Sequence, residues 1–353
     1  MGKLKLAVIF GGKSTEHDVS VVSGISVLKN INKQKYDLYP IYIDKNGKWY
    51  KYLKNVNELE NYKIEDKIKE IELLNNPMEY LNEMDCVFPV LHGLYGEDGT
   101  LQGMLEMIKV PYVGCKVLSS SLSMDKAYSK IIFEKAGLNQ AKYFYIKESK
   151  GQYIYIDNNM NEKKCTIDEI ANMVETQQKY PMFVKPSNSG SSVGVSKVEN
   201  SQELKEAIEY AGKFDKKILI EEGIKGREVE CAVLGNDIVK ASSVGEIKAA
   251  GKFYSYDSKY KSTESSTIVH ADLPQDVYEE VRKNAIKAFK AVDGTGLSRV
   301  DFFVEDNTNK VIINEINTLP GFTSISMYPK LFEEAGIKYN ELLDELVNLA
   351  MEQ

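Results

Sequence analysis

The chain has few of the residues on which cross-linked, metal-capped or membrane-bound proteins are built. Its 353 residues include four cysteines, Cys86, Cys115, Cys165 and Cys231, far apart and with no CxxC spacing. That pattern supports neither a disulfide framework nor a zinc site. The opening apolar run, residues 4–10, is too short for a signal peptide and leads straight into a glycine turn. No apolar stretch approaches the length that spans a bilayer, so no membrane attachment is expected and a cytoplasmic location is read. Basic residues are outnumbered, 45 Lys and Arg against 52 Asp and Glu, for a formal net charge of −7. A general nucleic-acid binder carries a basic face, so no nucleic-acid partner is expected. Internal repeats and low-complexity tracts are missing as well. What is there, 43% apolar and 27% charged residues, is an ordinary globular composition. The length exceeds that of one core and points to two or three domains.

Within residues 299–323, two short apolar runs flank Asp306, Asn307, Thr308 and Asn309, all turn formers, which predicts a β-hairpin. With the turn centred near Thr308, Asp301 faces Glu315 and Arg299 faces Asn317, and alternation puts all four on one face. A slip of one residue would disperse the set. Two carboxylates, an amide and a guanidinium do not share a face to build a core, because unpaired buried charge is strongly unfavourable. Asp, Glu and Asn oxygens are hard ligands of the kind Mg²⁺ takes, usually beside phosphate oxygens. The alternative is a solvated face with a surface ion pair from Arg299.

The metal reading requires a phosphate site elsewhere. Residues 4–10 read as a strand, Gly11-Gly12 as a turn and 17–28 as a helix, with Glu16 near its N-terminus, where a carboxylate is favoured. GxGxxG is absent, so no Rossmann cofactor site is read there. A strand at 85–91 ends in HGLYGEDG, residues 92–99, a tight loop at the usual place for function in α/β sheets. A plain glycine-rich turn with solvated acids, and a structural role for His92, stay open. A strand at 110–113 follows, then a helix at 119–136 that carries Lys126 and stops at Gly137. Past a helix at 166–180, a strand bearing Lys185 enters SNSGSSVG, residues 187–194, before a second strand. Such a loop offers backbone N–H groups and hydroxyls to an anion. It is no Walker A motif, lacking GK[ST] and a following helix, and a flexible hairpin tip is the alternative. With Lys185 and Lys126 beside it, a phosphate cradle is favoured. Asn200 with Glu203 caps a helix to 214. Strands at 217–221 and 228–234 carry Glu221 and Glu228, acceptors for an adenine amino group and ribose hydroxyls, or surface acids. Residues 248–266 are tyrosine-rich and strand-poor, which predicts a lid.

In this order, FGGKSTEHDVS, HGLYGEDGTLQG, SMDK, FVKPSNSGSSVGVSKV, FYSYDSKY, GLSRVDFF and NEINTLPGFTSISMYPKL resemble the D-alanine–D-alanine ligases of the ATP-grasp superfamily, along nearly the whole chain. The resemblance implies an α/β and α+β architecture. An N-terminal α/β domain at 1–120 would bind the first substrate. A central ATP-grasp subdomain at 121–216 would hold the phosphate loop, and a C-terminal one at 217–353 the lid and Mg²⁺ site. By the same resemblance Lys126 and Lys185 meet the ATP phosphates, Ser192 lies in the loop that closes over them, and Lys259 points to the γ-phosphate. Glu221 and Glu228 contact adenine and ribose. Asp301, Glu315 and Asn317 are the implied ligands of two Mg²⁺ ions, with Mn²⁺ able to stand in. Glu16, bonded with Ser191 to the lid residue Tyr260, holds the ammonium of the first D-alanine, and His92 lies in the substrate site. Arg299 and the Gly321 N–H form the oxyanion site, and Ser326 with Met327 takes the second substrate's carboxylate.

The implied reaction joins two D-alanines through an acyl phosphate, for peptidoglycan precursors, in a homodimer. Some members carry lysine where Glu222 stands, and residues 148–164 have no usable counterpart. Some relatives make D-Ala–D-Ser instead, and these tend to place a basic residue where Met327 stands; Met327 therefore points to D-alanine at both sites. A biotin-dependent carboxylase would share Lys185 and the metal hairpin but lack Glu16 and PGFTSISMYP. A non-catalytic nucleotide-binding regulator would keep the ATP site alone.

Overall fold

The computed structural model describes residues 2–53, 71–248 and 266–353. Three sheets carry them. The first is built from β1 (Leu4–Gly11), β2 (Tyr36–Ile43), β3 (Trp49–Tyr52), β4 (Ile71–Leu73) and β5 (Cys86–Pro89), in the order β4-β3-β2-β1-β5. β1 runs parallel to both β2 and β5, with helix α1 (His17–Asn30) connecting it to β2. The strand order therefore reverses between β1 and β5, and the loops bearing Glu16 and His92 leave the carboxyl ends of those two strands. That crevice is where open α/β sheets bind ligands. β1 is apolar without alternation because both its faces are covered. Leu6, Val8 and Phe10 pack with Ile25 and Leu28 of α1, while Ala7 and Ile9 join a cluster on the other face. The C-terminal helix, Tyr339–Met351, inserts Leu342, Leu346 and Val347 into the cluster of Leu6 and Val8. The strand expected at 110–113 is reduced to one bridge, Val87 to Tyr112.

The second sheet comprises β6 (Tyr143–Ser149), β7 (Gln152–Ile156), β8 (Glu162–Cys165), β9 (Met182–Pro186), β10 (Ser196–Val198) and β11 (Lys217–Glu222), ordered β10-β9-β11-β6-β7-β8. Residues 148–164 thus extend its edge as an antiparallel meander. β11 falls in this sheet rather than with the C-terminal strands, because Ile218 and Ile220 fill the core shared with Leu204 and Ile208. The third sheet is β14-β13-β12-β15-β16, from β12 (Gly226–Leu234), β13 (Lys240–Lys248), β14 (Ser266–Ile268), β15 (Leu297–Glu305) and β16 (Val311–Asn317). A helix at Gln275–Ala291 covers it with Val277, Val281, Ala285 and Phe289. Among the described residues no helix is long and apolar enough to cross a membrane.

The single helix expected at 119–136 is two, α4 (Val117–Met124) and α5 (Lys126–Lys135). Asp125 divides them, with φ −87° and ψ 97°. Its carboxylate accepts the N–H groups of Ala127 and Tyr128 at 3.2 and 3.4 Å and the Ser187 hydroxyl at 2.5 Å, and it pairs with Lys217. A strong N-cap inside an apolar run stops one helix and starts the next. Asp125→Ala should therefore lower stability by about 2 kcal/mol in denaturant unfolding, combining a lost cap with unpaired polar neighbours. A loss under ~0.5 kcal/mol would mean that the break does not depend on this side chain.

Candidate active site

At its site end, the hairpin has the register that alternation predicts: Arg299 pairs with Asn317, and Asp301 with Glu315. A bulge follows, so that Phe302 pairs with Ile313 and Asn314 becomes the extra residue. Nothing in the local sequence marks it. Its consequence is a further site residue, since Asn314 Oδ1 accepts a hydrogen bond from Lys185 Nζ at 3.4 Å. Asp301 is no bare acid facing Glu315. Arg299 grips it as a fork, Nε to Oδ1 and Nη2 to Oδ2, both at 2.7 Å, and Asn317 Nδ2 adds a bond at 3.3 Å. Glu230, paired with Asp301 on the adjacent strand β12, stands 3.3 Å from Arg299 Nε. Burial opposes the guanidinium charge, but Asp301 and Glu230 more than offset it. Among the described residues, no group of three or more His, Cys, Asp or Glu is placed to hold a metal ion.

Lys126 begins α5. Its Nζ donates to the Ser189 carbonyl at 2.7 Å and lies 3.4 Å from Glu315 Oε2. Lys185 Nζ, from β9, sits 2.5 Å from Glu221 Oε2, while Lys130 Nζ is 2.6 Å from Glu221 Oε1. Lys130 follows Lys126 by four residues on one helix face, a spacing visible in the sequence that went unused. Burial would raise the Glu221 carboxyl, but the two ammonium groups bring it down to about 2. Burial works against charge on Lys185 too, and Glu221 outweighs it, so that group is raised. The stabilisation that Glu221 contributes is thus present above its ordinary pKa of 4.5 and lost as pH falls toward 2. Glu228 lies on β12 between Ile247 and Phe303, and Glu222 Oε1 accepts the Lys142 N–H at 2.8 Å.

The facing wall comes from the first sheet. Glu16 occupies the N-cap position of α1, buried, and accepts a hydrogen bond from the Ser191 hydroxyl. Ser191 and Ser192 both take positive φ, 50° and 59°. Gly93 takes φ 72°, a conformation that L side chains rarely adopt, and it lies against the Glu16 carboxylate, where a Cβ would stand 2.7 Å from Oε2. His92 is fixed from both sides: Nδ1 meets the Leu319 carbonyl at 3.1 Å, and Nε2 meets Ser23 Oγ at 3.0 Å. A carbonyl only accepts, so Nδ1 carries the proton and Nε2 accepts from Ser23. Ser23 Oγ in turn receives the Phe322 N–H at 3.3 Å. His92 thereby clasps the segment that contains Gly321. Glu97 accepts the Gly93 N–H at 3.0 Å, and burial, with Glu16 nearby, pushes its carboxyl above the ordinary range.

These walls enclose a cavity of about 330 Å³ whose lining brings together Glu16, Lys126, Ser191, Arg299 and Glu315 with Asn317, Gly321, Ser326 and Met327, and His92 as well. Ser326 Oγ accepts the Thr323 N–H at 3.0 Å, and Lys330, three residues past Met327, also lines the cavity. Lys259 and Tyr260, with the expected lid, lie outside the described residues. Burial depresses the His92 pKa, so the ring should titrate below the ordinary value of 6.5, with Nδ1 carrying the proton of the neutral form. Its contribution to stability is full above the ordinary value of 6.5 and declines as pH falls below it. Nitrogen-15 NMR of the histidine side chains checks this, and a His92 midpoint at or above 6.5 would contradict it.

Two family models match the chain, the D-ala D-ala ligase N-terminus over residues 5–115 and the D-ala D-ala ligase C-terminus over residues 132–348. A D-alanine–D-alanine ligase of Acetivibrio thermocellus is 48% identical, over 99% of this chain and 96% of its own length. One from Clostridium acetobutylicum is 46% identical, over 99% and 98%. Among solved structures, the VanG D-Ala:D-Ser ligase from Enterococcus faecalis superposes with a TM-score of 0.84 at 36% identity, over 99% and 100% of the chains. The D-alanine–D-alanine ligase from Bacillus anthracis complexed with ATP does so at 0.74 and 28% identity, over 99% and 98%. The architecture is the ATP-grasp fold, and the chain belongs to the D-alanine–D-alanine ligase family.

Proposed function

We propose that this protein uses ATP to join two D-alanines into D-alanyl-D-alanine for peptidoglycan precursors. What carries the reading is the convergence of Lys126, the Glu16–Ser191 pair and Arg299 on one cavity. A carboxylate is a poor electrophile until one oxygen becomes a leaving group. Transfer of the γ-phosphoryl group to the first D-alanine makes an acyl phosphate, with Lys126 and Lys185 neutralising the spreading charge. Glu16, oriented by Ser191, holds that substrate's ammonium. Ser326 with Met327 receives the second D-alanine's carboxylate, while its amine attacks. The new C–N bond forms, and Arg299 with the Gly321 N–H stabilises the tetrahedral oxyanion. The C–O bond to phosphate then breaks and phosphate leaves. Lys259 and Tyr260 belong to the lid in this scheme, which excludes water from an acyl phosphate that hydrolyses readily.

Asp301, Glu315 and Asn317 would hold Mg²⁺, or Mn²⁺ in its place. Two carboxylates and an amide on facing strands suit a hard cation, provided that Arg299 releases Asp301. Bound there, the ions supply charge neutralisation to the phosphates. Glu221 and Glu228 take adenine and ribose, and Ser192 joins the phosphate loop. A first-substrate unit at 1–120, a central unit extended through Glu222 and a C-terminal unit from Gly226 follow the three sheets. Met107 and Leu118, 77% and 60% exposed near the α3–α4 turn (α3, Thr100–Ile108), offer an apolar face to a second copy. ATP as co-substrate is what supports a cytoplasmic location.

One observation favours D-serine as the second substrate instead. Met327 presents a thioether with no hydroxyl donor, but Lys330 supplies a basic group on the same cavity wall. The test measures phosphate release from ATP with single D- and L-amino acids, then mass-resolved products from D-alanine, D-serine and D-lactate in competition. D-Ala–D-Ala should dominate; if D-Ala–D-Ser does, the serine reading replaces it, and Lys330→Ala should then abolish the preference. No release with any amino acid would leave a nucleotide-binding regulator. Asp301→Asn and Glu315→Gln should each lower turnover at least ~100-fold at saturating Mg²⁺, without comparable loss of stability. Unchanged turnover in either would remove that residue from the metal site.

A further inference from the structure

Lys130 has no part in the scheme above, yet it is only 3% exposed. A buried ammonium persists only where it is paired. Its partner is Glu221 Oε1 at 2.6 Å, and it also lies over the Tyr143 ring, 5.3 Å from the centroid. Glu221, 4% exposed, has its second oxygen 2.5 Å from Lys185. One carboxylate is therefore gripped at both oxygens, from helix α5 and from strand β9. The two lysines are not equivalent. Lys185 is shared with Asn314 Oδ1 and is the group proposed to meet phosphate. When it turns to an anion, Lys130 remains on Glu221.

We infer that Lys130 is a specificity-determining residue for the nucleotide base, holding Glu221 as a fixed, ionised acceptor that selects a purine with an exocyclic amino group over one with a carbonyl at that position. The inference rests on the proposed contact between Glu221 and adenine. An ionised carboxylate only accepts hydrogen bonds, whereas a protonated one also donates. Adenine presents an amino donor at C6 where guanine presents a carbonyl acceptor. The charged and titratable groups around Glu221 are Lys130 from α5, Tyr143 from β6 and Lys185 from β9, with Glu228 and Glu315 acting on Lys185. Without Lys130, burial acts against a single cation, and the Glu221 carboxyl rises.

The experiment is calorimetric binding of non-hydrolysable ATP and GTP analogues to the full chain between about pH 6 and 9. The unaltered protein should prefer the ATP analogue at every pH. Lys130→Met should lose that preference by roughly tenfold or more, and the loss should grow as pH falls, because a carboxyl with one cation fewer takes up a proton more readily and can then donate to the guanine carbonyl. Lys130→Arg should restore it. Glu221→Gln, whose amide both donates and accepts, should bind the two analogues with a ratio that is flat in pH; this variant decides the matter if Lys130→Met does not fold. A Lys130→Met protein that keeps the parental ratio, losing affinity for both analogues in step with stability, would reduce Lys130 to a structural ion pair. So would parental discrimination in Glu221→Gln. An unaltered protein that binds neither analogue would instead overturn the proposed function itself, and the inference with it.

Discussion

Charge withdrawn from water must be paired, and here that constraint fixes where the site can be. Helix α5 is its main carrier. Asp125, Lys126 and Lys130 reach respectively Lys217, Glu315 and Glu221, and so tie one short helix to the second sheet and to the β15–β16 hairpin. Arg299 does the same between β15 and β12 through Asp301 and Glu230. None of these pairs is an argument for stability by itself, since desolvation can cancel the attraction. Removing one member is another matter, because the partner is left buried and unpaired. The helix and four strands, β11, β12, β15 and β16, are thereby held in one relative placement, and the cavity lies where their charged ends meet.

Neutral bonds close the other side. The Phe322 N–H, Ser23, His92 and the Leu319 carbonyl form a continuous chain from the loop after β16, through α1 and the loop after β5, and back. Tyr339 extends it, donating to the Phe322 carbonyl at 2.9 Å. The C-terminal helix packs into the first sheet's core, so the chain's end and its beginning share one apolar cluster. The backbone of Gly321 is therefore placed by the N-terminal region, although it follows directly on the third sheet. A site built from three sheets needs such cross-ties, since pre-organised donors are effective only if they do not relax when charge develops.

Local signals made much of this legible. Alternation gave the pairing of Asp301 with Glu315, and Asn200 with Glu203 gave a helix start, because both depend on neighbours within a few residues. The local sequence around Asp125 predicts one continuous helix, because the partners that break it, Ser187 and Lys217, lie far along the chain. Asn314 was invisible for a related reason, since a bulge is fixed by the partner strand and not by the bulged residue. Chain order alone assigns β11 to the C-terminal unit, whereas its apolar face packs under α6 (Ile167–Gln177) and α7 (Ser201–Ala211). Lys130 and Glu230 were legible in principle, one at i+4 from Lys126 and the other at i+2 from Glu228. Their meaning depends on burial, which a sequence does not print.

The three cations at the site differ in how firmly they are held, and that sets how they can exchange partners. Lys126 and Glu315 are 3.4 Å apart with side chains 17% and 28% exposed, the longest of these contacts and the one with the more open partner. Its attraction is the weakest of the three at that separation, so an incoming anion displaces Glu315 first. Arg299 is different, because two 2.7 Å bonds in fork geometry bind it to Asp301. Moving it requires a second cation for Asp301, or Glu230 as the remaining partner for Arg299. Lys185 is intermediate: its side chain is 16% exposed and 2.5 Å from Glu221, and Lys130 holds the other oxygen. Neutralisation of an anion should therefore begin at Lys126, continue with Lys185 as Lys130 takes over Glu221, and reach Arg299 last. In the scheme proposed above, that order runs from the residues assigned to phosphate toward those assigned to the oxyanion, so the cation freed first is the one assigned to the step that comes first.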